Sequence, residues 1–314
     1  MVYGESSTAM HVPLAFSWRG TLPEITCYGA LAWVRGSKLW HQRGAGDQPY
    51  FLRSLAKPLQ LRCWAGELEA FLTPQQQVLA VSSHNGEAQH LAVAQSMLAA
   101  DEAHWLQTPA CGPLSGAAVR ETSWHHPCSG NHAGVLRLCK QRGWDLASYR
   151  EEQHPFHQQS LAALAAGAGA FGGIKALATD GCGFSTPAFT LGAMAALYAD
   201  FAARRDENGL WGNCGKFPSL LGGTGRLDSQ IIRAGRGEVF AKEGADGLLA
   251  LAVNSRRFPE GIGVVIKLAH GRDVSCMEAL ARTILSALGY HQGEKSEGLG
   301  PNFTVVSAIV PESL

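Results

Sequence analysis

Two long stretches without a charged residue, His154 to Ile174 and Gly181 to Ala199, set the strongest limit on how this chain folds. Each approaches the length that crosses a bilayer, yet both are rich in Ala and Gly, and the second carries Pro187 near its start. They read as buried helical segments, and a helix that is apolar all round needs protein on every side. The 314 residues supply that surrounding, as one large domain or two small ones. Charged residues make up only 17% and Gly contributes 37 positions, which suits a dense interior with many tight backbone passages. Lys+Arg (26) balances Asp+Glu (26) and no block of like charge occurs, so a general nucleic-acid surface is excluded as an expectation. Met1 to Gly20 lacks the basic start and apolar run of a secretory signal, so the expected location is cytoplasmic, with no membrane partner. Eight Cys without close spacing read as free thiols, most of them small core hydrophobes.

Short β-favouring runs from Ile25 to Trp40, split by Arg35-Gly36-Ser37, predict an antiparallel hairpin or meander. Val78 to Val81 reads as a strand leading through Ser82-Ser83-His84-Asn85-Gly86-Glu87 into a helix over Ala88 to Ala100. A second strand, Ile174 to Ala178, leads through Thr179-Asp180-Gly181-Cys182-Gly183 toward an apolar helix, Thr190 to Ala203. Gly261 to Leu268 and Phe303 to Ile309 read as buried strands flanking a helix, Cys276 to Leu288. No repeat or linker interrupts the pattern. The expected architecture is a single α/β (α+β) domain over 1–314, a mixed sheet packed with helices in two intimate lobes.

Ser54-Leu55-Ala56-Lys57 places a hydroxyl and an amine on one helix face, where Lys57 has the reach to take the proton from Ser54. Pro58 fits a first helical turn, so a helix from about Leu55 to Ala70 starts close to Ser54. On spacing alone, an N-cap serine followed by a solvated lysine fits more readily. Ser83 sits before a helix, where hydroxyls and backbone N–H groups are exposed together, and is equally an ordinary helix-start residue. Cys128-Ser129-Gly130-Asn131-His132 packs a thiol, an amide and an imidazole into a turn opening a helix from Val135 to Arg142. His132 taken alone reads as a structural hydrogen bonder, and Asp180 as a residue satisfying its own turn. Cys128 and Cys182 together are candidates for a soft metal, although neither belongs to a close-spaced ligand pair. Lys267 interrupts an apolar run and needs a partner or a depressed pKa.

The ordered set Arg53-Ser54-Leu55-Ala56-Lys57-Pro58-Leu59-Gln60, Ser82 to Glu87, Cys128 to Gly134, Thr179 to Gly183, Gly223-Thr224-Gly225-Arg226-Leu227-Asp228 and Gly261 to Lys267 resembles the bacterial asparaginase II family of the rhizobial inducible type, from about Tyr28 to Arg272. The resemblance implies a serine β-lactamase/glutaminase-like fold, a homodimer, and hydrolysis of L-asparagine to L-aspartate and ammonia. It implies catalytic tandems of Ser54 with Lys57 and of Ser83 with Lys267, and a substrate pocket lined by Arg53, His84, Asn85, His132 and Asp180, with an oxyanion held by backbone N–H groups at the helix starts. It implies no required cofactor. Zinc, where the family binds it, is held by two Cys and a Lys; Cys128 and Cys182 match the thiols, but Asn131 stands in the lysine position. An amide is a weaker ligand than an amine, so the expectation is a weak site, one altered by His132 or water, or none. The competing readings are a serine amidase or glutaminase acting on another small amide, a weakly active asparagine-binding paralogue, and a protein with a structural metal at Cys128 and Cys182.

Overall fold

The computed structural model describes residues 10–290 and 303–314, except 115, 117, 118 and 208. Its main sheet is antiparallel throughout and contains β1 (Val12–Arg19), β2 (Leu22–Arg35), β3 (Lys38–Arg43), β7 (Val239–Gly244), β8 (Leu248–Ser255), β9 (Phe258–Leu268) and β10 (Phe303–Val305). The strand order is β10-β1-β2-β9-β8-β7, and β3 also pairs with β2. A smaller sheet joins β4 (Tyr50–Phe51), β5 (Ala176–Thr179) and β6 (Ser185–Phe189) in the order β4-β6-β5.

The expected hairpin is present: β2 turns through Gly36-Ser37 into β3, with Arg35 opposite Lys38. Gly36 takes φ +56°, the left-handed conformation that a two-residue hairpin loop demands. Against β9, β2 and β8 lies the helix Leu191–Ala203, buried on nearly every side as its uncharged sequence requires. Gly263 makes this packing possible, because a Cβ there would collide with the Ala195 carbonyl. Among the described residues no helix is long and apolar enough to cross a membrane.

A helical layer holds the other half of the site. Gly130 and Gly134 lie one turn apart on the helix Ser129–Arg142, and a Cβ on either would strike Leu79 or Ala80 of the helix Pro74–Ala80. The two helices therefore approach closely, and the approach is pinned by Asn131 Nδ2 donating to the Ala80 carbonyl at 2.7 Å. This contact brings the chain after Ala80, which carries Ser82 and Ser83, beside Cys128.

Several expected elements differ. Val78 to Val81 is the end of a helix rather than a strand, because Thr73 caps it, Gln76 returns the hydrogen bond, and Pro74 occupies its first turn. The turn Thr179 to Gly183 joins β5 to β6 as a hairpin, so Asp180 and Cys182 sit between strands, and the helix begins only after Thr190 caps it. Helix formation at 129 starts earlier than Val135. The helix expected from Leu55 to Ala70 is broken into Ala56–Leu61 and Ala65–Phe71 by a tighter turn at Arg62–Trp64. The strand expected over Phe303 to Ile309 stops at Val305 and tightens into a 3-10 turn, Ser307–Ile309. Strands β7 and β8 were not anticipated, and β7 packs against the Arg53–Leu55 turn.

Candidate active site

Arg53, Ser54, Ser83, Cys128, Asp180 and Cys182 line one cavity of about 320 Å³. The segment carrying Ser83 is tied on both sides: its N–H donates to the Leu221 carbonyl at 3.0 Å, and its own carbonyl accepts from Arg226 Nη1 at 2.9 Å. Arg226 is in turn held by Glu243 at 2.8 Å. Lys57, on the helix Ala56–Leu61 and only 5% exposed, reaches this segment with all three donors of its ammonium. It donates to Ser83 Oγ at 3.0 Å, to the Ser82 carbonyl at 2.6 Å and to Cys128 Sγ at 3.3 Å. A lysine desolvated to this degree requires such partners. The expectation that helix-start N–H groups hold an oxyanion is not met at Ser83 itself, whose N–H is already bonded.

Ser54 lies in the 3-10 turn Arg53–Leu55, and its Oγ makes no hydrogen bond among the described residues. Lys57 follows it by three positions but belongs to the next helical segment and points toward Ser83. The residue before Ser54 is strained: Arg53 has φ +49°, a conformation costing about 1–3 kcal/mol for a side-chain-bearing residue. The strain is held by Arg53 N–H donating to Thr186 Oγ1 at 3.0 Å and by its guanidinium, which pairs with Asp180 at 2.8 Å and with Asp246. Arg53 and Asp180 thus meet in the cavity wall as one charged unit.

The tandem expected between Ser83 and Lys267 is not formed. Lys267 Nζ donates to the carbonyls of Asp246 at 2.5 Å and Leu268 at 2.7 Å, near the end of β9, and touches neither serine. The lysine buried behind the site is Lys242, on β7. It is fully buried, pairs with the equally buried Asp228 at 3.5 Å and donates to the Glu243 carbonyl at 2.9 Å. Burial, reinforced by the charge of Lys57 and opposed by Asp228, pushes its pKa down to about 8. The signal was visible in Val239-Phe240-Ala241-Lys242, an amine within an apolar strand, the same signal that singled out Lys267.

The expected substrate residues His84, Asn85 and His132 hold the scaffold. His84 is buried, bonds Ser129 Oγ at 2.9 Å and accepts the Gly86 N–H, and burial drives its pKa well down. Asn85 ties Thr224 and Arg226 together. His132 stacks on Phe184 and bonds Tyr149 Oη at 2.7 Å, while its buried Nε2 has no partner among the described residues; burial pushes its pKa well down.

The two thiols are shifted in opposite directions. The Cys182 thiol donates to Cys128, and Lys57 stands beside it, so Cys128 falls well below the ordinary thiol range while Cys182 is pushed up. A zinc ion at this pair needs further donors turned toward it. Asn131 is committed to the Ala80 carbonyl, and the Lys57 ammonium already occupies the Cys128 thiolate. The donor set therefore does not fit a closed four-coordinate site.

Among known proteins, the family model of L-asparaginase II matches residues 15–307. No curated protein matches the chain. Among solved structures, a beta-lactamase from Mycobacterium bovis aligns with 14% identity and a TM-score of 0.41, covering 82% of this chain and 94% of that one; a superposition that loose transfers neither fold nor chemistry.

Proposed function

This chain belongs to the L-asparaginase II family and is a hydrolase acting on amides, and from that premise we propose that it hydrolyses L-asparagine to L-aspartate and ammonia with Ser83 as nucleophile and Lys57 as its base. The observation that carries the reading is the 3.0 Å contact between Lys57 Nζ and Ser83 Oγ at the wall of the cavity, within the reach that proton transfer needs. In its amine form Lys57 accepts the Oγ proton as Oγ bonds to the side-chain amide carbon. The same proton then passes to the amide nitrogen, the C–N bond breaks, and ammonia leaves. Water next attacks the ester carbon and gives its proton to Lys57; the C–Oγ bond breaks, Oγ recovers a proton, and aspartate departs. A zwitterionic amino acid needs a cation for its carboxylate and an anion for its ammonium, and the Arg53, Asp180 and Asp246 cluster offers both signs at the cavity edge. Cys128 Sγ, 3.3 Å from Lys57 Nζ, fixes where the lysine head group sits beside Ser83.

The test is ammonia release from asparagine, glutamine and β-aspartyl amides, combined with rapid acid quench and mass spectrometry of the enzyme. Asparagine turnover with an aspartyl adduct on the peptide carrying Ser83 is expected. An adduct on Ser54, or undiminished turnover by Ser83→Ala, overturns the assignment; preference for glutamine, a one-methylene difference, overturns the substrate.

A further inference from the structure

A second cluster of metal-ligating side chains lies outside the serine chemistry. β9 ends at Leu268, and the chain turns through Ala269-His270-Gly271-Arg272-Asp273 into the helix Val274–Leu288. This loop passes the β2 residue Cys27. The ligand atoms of Cys27, His270 and Asp273 all lie within 4.8 Å of one another. We propose that Cys27, His270 and Asp273 form a metal site for a divalent cation of the zinc type, with water as the fourth ligand.

Three observations carry this. The first is spacing. With metal–ligand distances of about 2.0–2.3 Å, the donors of a tetrahedral site stand about 3.3–3.8 Å apart. Cys27 Sγ lies 3.8 Å and His270 Nε2 lies 3.4 Å from the same oxygen, Asp273 Oδ2. Both distances are long for good hydrogen bonds, yet each falls within the spacing a shared metal imposes. The second is the division of labour in the carboxylate. Oδ1 of Asp273 caps the helix by accepting the Cys276 N–H at 2.9 Å, which orients Oδ2 toward the thiol and the imidazole, as an outer-sphere bond orients a ligand. The third is a fixed loop with an open side. Ala269 N–H donates to the Tyr28 carbonyl at 2.9 Å, and Gly271 packs so closely on Gly247 that a Cβ at Gly247 would strike its carbonyl. Cys27 is buried while His270 is exposed, so an ion has a route in and a preformed wall to meet.

One thiolate, one imidazole and one carboxylate form a borderline-soft set that favours zinc over magnesium or calcium. Loading displaces the Cys27 thiol proton, and the ion then ties β2 to the start of the helix Val274–Leu288, where Asp273, Val274 and Met277 help line the catalytic cavity. Its role is structural: among the described residues no hydrogen bond joins its donors to Ser83 or Lys57.

The test uses full-length protein stripped with chelator and titrated with cobalt(II) alone, then with zinc. One equivalent of cobalt should develop the intense ligand-field bands of tetrahedral coordination and a thiolate charge-transfer band. Cys27→Ser should abolish the charge-transfer band or strongly weaken it, and His270→Ala, at an exposed position where folding is not at risk, should weaken binding about tenfold or more. Cys128→Ser should leave the spectrum intact, and zinc should raise the melting temperature of the wild type but not of His270→Ala. Absence of these bands in the wild type, bands lost with Cys128→Ser but kept in His270→Ala, or a Cys27–Cys276 disulfide persisting under reducing conditions would overturn the proposal.

Discussion

The protein holds two pairs of neighbouring thiols in opposite electrostatic settings. Cys128 and Cys182 face the Lys57 ammonium, and Cys128 falls well below the ordinary thiol range because Cys182 donates to it and Lys57 lies beside it. Cys27 and Cys276 face the Asp273 carboxylate, and both are pushed up, by burial first and by that negative charge as well. At Cys128 the hydrogen bond from Cys182 is the largest cause of the fall and Lys57 adds to it, whereas at Cys27 and Cys276 burial dominates and the nearby charge is negative. The first setting is already occupied by a cation that belongs to the chain. The second, with an anion and an imidazole at hand, is the one suited to a cation from outside.

The sharpest way to break this contrast is to remove the chemistry from one side only. Ser83→Ala is expected to lower kcat/KM for asparagine by about 10⁴-fold or more, as loss of a nucleophile does, whereas Cys276→Ser should leave it within about twofold. Steady-state ammonia release by both variants checks this, and a comparable loss in the two would mean that the pairs are not functionally separate.

Next in size is a test of the rule that a buried charge depends on its partner. Lys242→Met leaves Asp228 without its cation at full burial, although the Ser229 and Glu243 N–H groups still donate to it. Stripping one partner from a buried pair costs about 3–5 kcal/mol, so urea unfolding should show a loss of that order. Adding Asp228→Asn should recover part of it, and an additive double mutant would show that the two groups do not depend on each other.

Thiol reactivity then reads the contrast directly. Cys128 is partly exposed to the cavity and its depressed pKa keeps thiolate present at neutral pH, so iodoacetamide should label it there, with the rate falling only as pH drops well below the ordinary thiol range. Cys27 and Cys276, raised, should label only as pH rises into the alkaline range. Peptide mapping separates them from the exposed Cys63. Lys57→Met should slow Cys128 labelling at neutral pH by about tenfold; an unchanged rate would show that Lys57 does not add to the Cys182 hydrogen bond in lowering Cys128.

The elements of the core were legible where pattern and local chemistry agreed. Gly36 and its flanking apolar runs specify the β2–β3 hairpin, and the uncharged run after Thr190 specifies the buried helix. Val78 to Val81 misled because four apolar residues fit a strand or a helix end equally; the deciding signal was Thr73-Pro74 with Gln76, several residues upstream. The site was legible as a set of segments and not as a set of pairs. Ser54 and Lys57 have helical spacing, but the backbone changes from a 3-10 turn to a helix between them, and the lysine is turned toward a serine 26 positions away. Lys267 and Lys242 both interrupt apolar strands, and only tertiary structure separates the one near a strand end, where free carbonyls satisfy it, from the one locked against Asp228. Cys27, His270 and Asp273 carried no local signal, because the thiol donor comes from a strand far away in the chain.

The smallest expected effect concerns Asn131, which marks why the cation-facing thiols lack a third donor. Its Nδ2 holds the Ala80 carbonyl at 2.7 Å while its Oδ1 is buried without a partner among the described residues. Asn131→Ala removes both at once. Losing the hydrogen bond leaves the Ala80 carbonyl unpaired, a cost of about 1–3 kcal/mol, but removing the orphaned oxygen relieves a penalty of similar kind. The net loss should therefore be about 1 kcal/mol, at the lower end for a buried polar deletion, and it should appear in urea unfolding without altering the pH dependence of Cys128 labelling. If labelling shifts as well, the contact between the helices Pro74–Ala80 and Ser129–Arg142 is also what sets the distance between Lys57 and Cys128, and the amide belongs to the electrostatics of the site rather than to its scaffold.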